Sequence, residues 1–311
     1  MRFPSLRTLC GITLLVLATT LPTGCATSAP GTLRDADHPL AGRLWDVAAR
    51  QFIDDAELRR RVAAAEVVLL GEIHDNSEHH RLQAAVLQGR VDSGARPALL
   101  MEQFDTDQQA ALDEARRDGR DLATVMRGWN WSNYQPLVAI ANSARLPLRG
   151  ANLSRTAARP VVREGYAVLP AGETVRLALE TGWNEEREQY LRGLIEKSHC
   201  GKIDVQLRDG LVRAQRLRDA TLADAALASI DAGVVFILGR GHARRDVGVP
   251  IYLAARRPGT RVLSIGMVEV GAGRTAPEAY EAVSVAGIHP HDLLWFTARA
   301  ERPDPCLAFG G

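Results

Sequence analysis

The sequence predicts an α/β fold: a mostly parallel sheet flanked by helices, with a smaller inserted helical subdomain. Three observations carry this expectation. Glu66–Gly71 and Pro97–Glu102 are near-continuous apolar runs, the pattern of strands covered on both faces. Helical patterns separate the apolar runs, and a strand–helix–strand alternation argues for parallel strands joined by crossover helices. From Leu153 to Asp204 that pattern gives way to short stretches rich in Arg and Glu, which reads as an insertion at about residues 153–204.

Taken in order, the first strand is followed by a helix over Ser77–Val91, with Ser77 as its N-cap. After the second strand come helices at Thr106–Arg117 and Asn133–Ala144, then a third strand at Leu146–Ala151. A long helix over Val205–Ile230 leads into a fourth strand, Val234–Gly239. Arg261–Val268 is the fifth, and Asp292–Ala298 adds an edge strand. The main α/β domain is therefore expected over residues 41–298, with a C-terminal tail at 299–311.

The N-terminus points to export. Arg2 and Arg7 precede an apolar run from Leu9 to Leu21, which is too short for a membrane span. Residues 1–24 thus read as a signal peptide. Gly24-Cys25 resembles a bacterial lipoprotein cleavage site, although Pro22 stands where such signals prefer Leu; ordinary cleavage nearby is the alternative. Lipidation would fall on Cys25. Ala26 after it favours the outer membrane by resemblance to lipoprotein sorting signals, on the periplasmic side or the cell surface. Residues 25–40 then form a flexible tether.

Composition narrows the function. The 311 residues carry a formal charge of +1, and removal of Arg2 and Arg7 with the leader turns it to −1. No excess positive charge remains for phosphate-backbone binding, so no nucleic-acid role is expected. Once Cys10 leaves with the leader and Cys25 takes lipid, Cys200 and Cys306 remain of the four cysteines. In an oxidising compartment they make one disulfide, or stay as two unrelated thiols.

The chemistry concentrates at strand ends. The first strand runs into Gly71-Glu72-Ile73-His74-Asp75, the second ends at Glu102, and the fourth ends in Gly239-Arg240-Gly241-His242. Ligands of open α/β sheets bind at the carboxyl ends of strands. Glu72, His74, Glu102 and His242 would therefore converge if their strands are neighbours. Trp129, Trp131 and Tyr134 form an aromatic cluster. It suits either core packing or a flat wall for a planar ligand, and a tyrosine can hold haem iron. Arg218 falls on the apolar stripe of the long helix traced by Leu207, Leu211, Ala214, Leu222 and Ala226. A charge there pairs with a carboxylate or faces a ligand carboxylate.

Together these segments resemble the ChaN family of haem-binding uptake lipoproteins, related to the Tiki/TraB proteins and the erythromycin esterases. The resemblance rests on LLGEIHDNSEHH at 69–80, MEQF at 101–104, WSNYQPL at 131–137, GANLSR at 150–155, SHCG at 198–201, AQRLRDATLA at 214–223 and GRGHARRDVGVPIYL at 239–253. It covers about Arg43 to Phe296. It implies a haem pocket, a role in haem or iron uptake, Tyr134 as the iron ligand, a homodimer around haem and an outer-membrane haem receptor as partner. The chain departs from the family at Leu222, where Met is common.

Two readings follow. In the first the chain is a lipid-anchored haem-binding protein and not an enzyme, with Tyr134, His74, Trp131, Arg218 and His242 at the haem. In the second it is a hydrolase using a divalent metal, with Glu72 or His74 as base and Glu102 and His242 positioning metal or substrate.

Overall fold

The computed structural model describes residues 32–309, so Cys25, the signal peptide and the start of the tether lie outside the described residues. The chain begins with β1 (Leu33–Arg34), β2 (Leu44–Asp46), β3 (Gln51–Ile53) and α1 (Asp55–Ala64). Next come β4 (Val67–Glu72), α2 (Ser77–Asp92), β5 (Ala98–Asp105), α3 (Gln109–Arg117), α4 (Trp131–Ser143) and β6 (Leu148–Asn152). Helices α5 (Arg155–Glu164), α6 (Glu173–Arg176), α7 (Glu185–Ser198) and α8 (Val205–Ala228) follow. Then come β7 (Val234–Gly239), α9 (Val249–Arg256), β8 (Val262–Glu269), β9 (Leu293–Thr297) and β10 (Arg299–Ala300).

Eight strands form one sheet in the order β3-β2-β9-β8-β4-β7-β5-β6. The pairs from β9 through to β6 are parallel, and the hairpin β2–β3 pairs antiparallel outside β9. The segment expected as an edge strand is therefore internal. Its outer neighbours are three residues each, too short to show a period.

Alternation along the central strands feeds two cores. Val68, Leu70, Leu99, Met101, Val235 and Ile237 face α2, α3 and α4. Val67, Leu69, Leu100, Val234, Phe236 and Leu238 face α8 and α9. Burial of both faces is why these strands read as unbroken apolar runs.

Local details differ from the sequence reading. The N-cap of α2 is Asn76, whose side chain accepts from Glu78 N and His79 N, so Ser77 is the first helical residue. The short carboxamide also donates to Glu269 and to the Ala298 carbonyl, which ties the helix start to the far strands. The expected tether reaches the fold before residue 40: Leu33–Arg34 pairs with Arg299–Ala300, and Leu40 is buried. On α8 the buried charges are Arg216 and Asp219, whereas Arg218 is half-buried and Leu207 is exposed. The buried stripe runs through Val212, Ala214, Leu217, Ala220, Ala223 and Ala226.

Residues 153–204 carry α5, α6 and α7, and α5 and α7 pack on α8. Cys200, after α7, is disulfide-bonded to Cys306 with Cα atoms 5.7 Å apart. Among the described residues no helix is long and apolar enough to cross a membrane.

Candidate functional site

Because β7 lies between β4 and β5, the ends of these strands share one rim. Glu72 ends β4 with its side chain fully buried. A buried carboxylate needs partners, and Glu72 has five. Tyr134 donates its hydroxyl to Oε1 at 2.7 Å, Gln103 Nε2 donates to Oε1 at 3.0 Å, and Gln83 Nε2 donates to Oε2 at 2.7 Å. His74 Nδ1 lies 2.8 Å from Oε1 and His80 Nδ1 lies 3.2 Å from Oε2.

His80 Nε2 also faces the His74 carbonyl at 3.1 Å. Both its nitrogens therefore face acceptors, an arrangement that favours the imidazolium form. Burial opposes this, but the hydrogen bond and charge of Glu72 raise its pKa above the ordinary value. Burial likewise opposes ionisation of Glu72, yet the bonds from His74 and His80 hold its carboxyl well below the usual range. His79, one residue away, behaves oppositely. Its Nδ1 accepts from Ile73 N and its Nε2 faces Thr297 Oγ1; burial lowers its pKa to about 3, so it stays neutral.

A second group sits beside the first. Glu102 Oε2 accepts from Gly239 N at 2.6 Å, and its Oε1 is 3.4 Å from His242 Nε2. His242 Nδ1 lies 2.5 Å from Asp219 Oδ1, which α8 supplies from the other face of the sheet. Despite its burial, His242 between two carboxylates is raised to about 10. Glu102 is buried too, and the charge of His242 lowers it to about 2.

His74 joins the two groups. Burial lowers its pKa, but the Glu72 bond and the charges of Glu102 and Glu72 raise it overall. Its side chain is 41% exposed, unlike those of Glu72 and His80. A Cβ on Gly239 would stand 3.1 Å from both Cε1 and Nε2 of His74, so the glycine leaves room for the ring. The Trp129 ring meets it edge-on, with centroids 4.7 Å apart.

The expected residues thus divide. Glu72, His74, Glu102 and His242 meet at the rim. Tyr134, expected as an iron ligand, is only 1% exposed and spends its proton on Glu72. Burial, reinforced by Glu72, pushes its phenol far above the ordinary value, so phenolate formation there is disfavoured. Trp131 packs partly buried against the core, as Trp129 does, but Trp129 touches His74. Arg218 has no carboxylate in ion-pair contact among the described residues; its Nη1 donates to Gln215, which lies 3.1 Å from His242 Nδ1.

Sequence reading gave no role to His80, Gln83, Gln103 or Gly239. Their one visible signal is adjacency, since Gln103 follows Glu102, and His80 and Gln83 share one helical face with the strand end. Among the described residues no group of three or more His, Cys, Asp or Glu side chains is arranged to hold a metal ion.

A parallel α/β sheet with a carboxylate–imidazole cluster at its strand ends defines a ligand-binding α/β protein of the kind whose site lies on the rim. The chain belongs to the family described as haem-binding uptake, Tiki superfamily, ChaN, whose model matches residues 58–253. The fold is similar to that in "Cofacial heme binding to ChaN of Campylobacter jejuni", with a TM-score of 0.65 and 18% identity over 81% of this chain and 95% of that one. Weaker likenesses include an erythromycin esterase mutant in its open conformation, with a TM-score of 0.40 and 12% identity over 74% of this chain and 78% of that one. Another is the type III effector HopBA1, with a TM-score of 0.40 and 14% identity over 76% of this chain and 91% of that one. No curated protein matches the sequence.

Proposed function

We propose that the chain is a lipid-anchored haem-binding protein of haem or iron uptake, with His74 as the side chain that holds the iron. One observation carries the choice of residue. The His74 Nδ1 is fixed by Glu72, and its Nε2 has no hydrogen-bond partner among the described residues. A carboxylate on one ring nitrogen orients the other as a ligand and raises its basicity. The donor set fits haem: an oriented, half-exposed imidazole, the Trp129 ring beside it, and Arg218, which has no carboxylate in ion-pair contact among the described residues and suits a propionate. Haem bound there supplies an iron centre. The protein's part is to orient the imidazole and to keep the Glu72 charge buried beneath it.

Anchoring through Cys25, residence at the outer membrane, a homodimer around haem and an outer-membrane haem receptor belong to the same proposal. Support for them comes from the leader sequence and the family. The hydrolase reading has Glu72 or His74 as base. Glu72 is enclosed by its five partners, so in that reading the half-exposed His74 is the base the geometry leaves available.

The test is a haemin titration of the chain from Ala26 onward, followed at the Soret band. Saturable binding is expected, with His74→Ala changing the spectrum and Tyr134→Phe leaving the band position in place. A band moved by Tyr134→Phe and not by His74→Ala assigns the iron to the tyrosine and overturns the choice of His74. Absence of saturable binding overturns the function.

A further inference from the structure

A cavity lies beyond the Gly239–His242 turn. Its volume is about 260 Å³, and Tyr190, Arg240, Gly241, Arg244, His289 and His291 line it. Two arginines face it, and their situations differ. Arg244 is neutralised by a two-pronged bond to Asp246 at 2.9 and 2.6 Å, and its guanidinium lies over the Tyr190 ring. Arg240 has no ion pair among the described residues. Its guanidinium makes one hydrogen bond, from Nη1 to the Met267 carbonyl at 3.3 Å.

Burial lowers the pKa of Arg240, and the acid that most opposes this is Glu269. Glu269 is already committed: it accepts from Asn76, Ala300 and both terminal nitrogens of Arg302. The acid on the cavity wall, Glu281, accepts from Trp45 Nε1 and lies 3.9 Å from Arg50. Arg240 is half-buried on the cavity wall, and a guanidinium with one backbone bond and no counter-charge keeps donors free for an anion entering from the cavity.

The cavity also holds an acceptor. The Ser264 hydroxyl donates to the Ala243 carbonyl at 2.6 Å, so its oxygen accepts from His291 Nδ1 at 2.9 Å. That fixes the proton of His291 on Nδ1 and leaves Nε2 as an acceptor. Burial among Arg240, Arg244 and Arg245 keeps the ring neutral.

We propose that this cavity binds a small oxyanion that also carries a hydroxyl group, with Arg240 pairing the charge and His291 Nε2 accepting the hydroxyl proton. Two sources share that chemistry: a hydrogen phosphate and a hydroxycarboxylate. The site is separate from the haem proposal, because His74 is not among its lining residues.

The test uses the full chain in detergent, titrated calorimetrically with inorganic phosphate, malate and succinate, the last lacking the hydroxyl. Binding of phosphate alone assigns a phosphoryl source, and binding of malate in preference to succinate assigns a hydroxycarboxylate. Arg240→Met should weaken the bound anion at least about tenfold, the scale of a charge-assisted hydrogen bond. Should that variant fail to fold, Gly241→Leu gives a second route. A Cβ at Gly241 meets nothing within 4 Å, so the leucine can occupy the cavity and should abolish binding with Arg240 intact. The proposal is overturned if neither phosphate nor malate binds, if succinate binds as tightly as malate, or if folded Arg240→Met binds like the parent.

Discussion

Tyr134 donates its phenolic proton to Glu72 at 2.7 Å, joining α4 to the end of β4. The bond is buried, so removing its donor leaves a carboxylate oxygen short of a partner. Tyr134→Phe should cost about 1–3 kcal/mol of stability, measured by urea unfolding. Haemin affinity should fall less than in His74→Ala. A Phe variant as stable as the parent would show that the bond contributes nothing.

The Glu102–His242–Asp219 line makes stability depend on pH in a defined direction. His242 is raised to about 10 in the fold, against about 6.5 when unfolded. Its contribution is complete below about pH 6.5 and is lost as the pH rises toward 10. Glu102, lowered to about 2, contributes above its unfolded value and loses that contribution as the pH falls toward 2. Unfolding midpoints should therefore decline between pH 7 and 10, and the decline should be shallower in His242→Gln. An identical slope in both proteins would contradict the assignment.

Gly239→Ala places a methyl group 3.1 Å from the His74 ring. The ring must move off the Glu72 axis, so haemin affinity should drop about tenfold or more while the circular dichroism stays native. Unchanged haemin binding would remove His74 from the ligand site.

The Cys200–Cys306 bond closes a loop of 106 residues. Loop entropy alone sets an upper bound of about 4–5 kcal/mol. Cys306 lies at the periphery, and a tail that frays alone costs less than global unfolding. Cys200→Ser should thus raise hydrogen exchange over residues 299–306 and lower the Tm only slightly. Two free thiols titrating in the unreduced, unfolded protein would refute the bond.

Under the proposed anchoring through Cys25, Cys25→Ser carries no acyl chains and should appear in the soluble periplasmic fraction. A variant that still pellets with membranes in high salt is anchored elsewhere.

The central strands were legible because burial on both faces leaves unbroken runs such as Val67–Leu70. The rim residues were legible because Glu72 and Glu102 close such runs directly and His242 lies three residues past the end of β7. The β2–β3 hairpin was not, because each strand has three residues and its partner β9 lies over 200 positions away. Arg218 drew attention through spacing on α8, whereas the buried arginine is Arg216. It sits over Trp183 and bonds the Leu179 carbonyl, contacts from the insertion that no helical period reveals. The role of Tyr134 was hidden for a related reason: a ring that packs on His80 and bonds Glu72 has the same local sequence as one open to a ligand.

The rim draws its support from both layers of helices. Glu72 is braced by α2 and α4, while His242 is braced by Asp219 on α8 across the sheet. The two halves are thus insulated from one another by β4, β7 and β5, and each can accumulate substitutions in its own core without repacking its counterpart. His74, sensing the charges of both, is where such independent histories would be felt as one affinity.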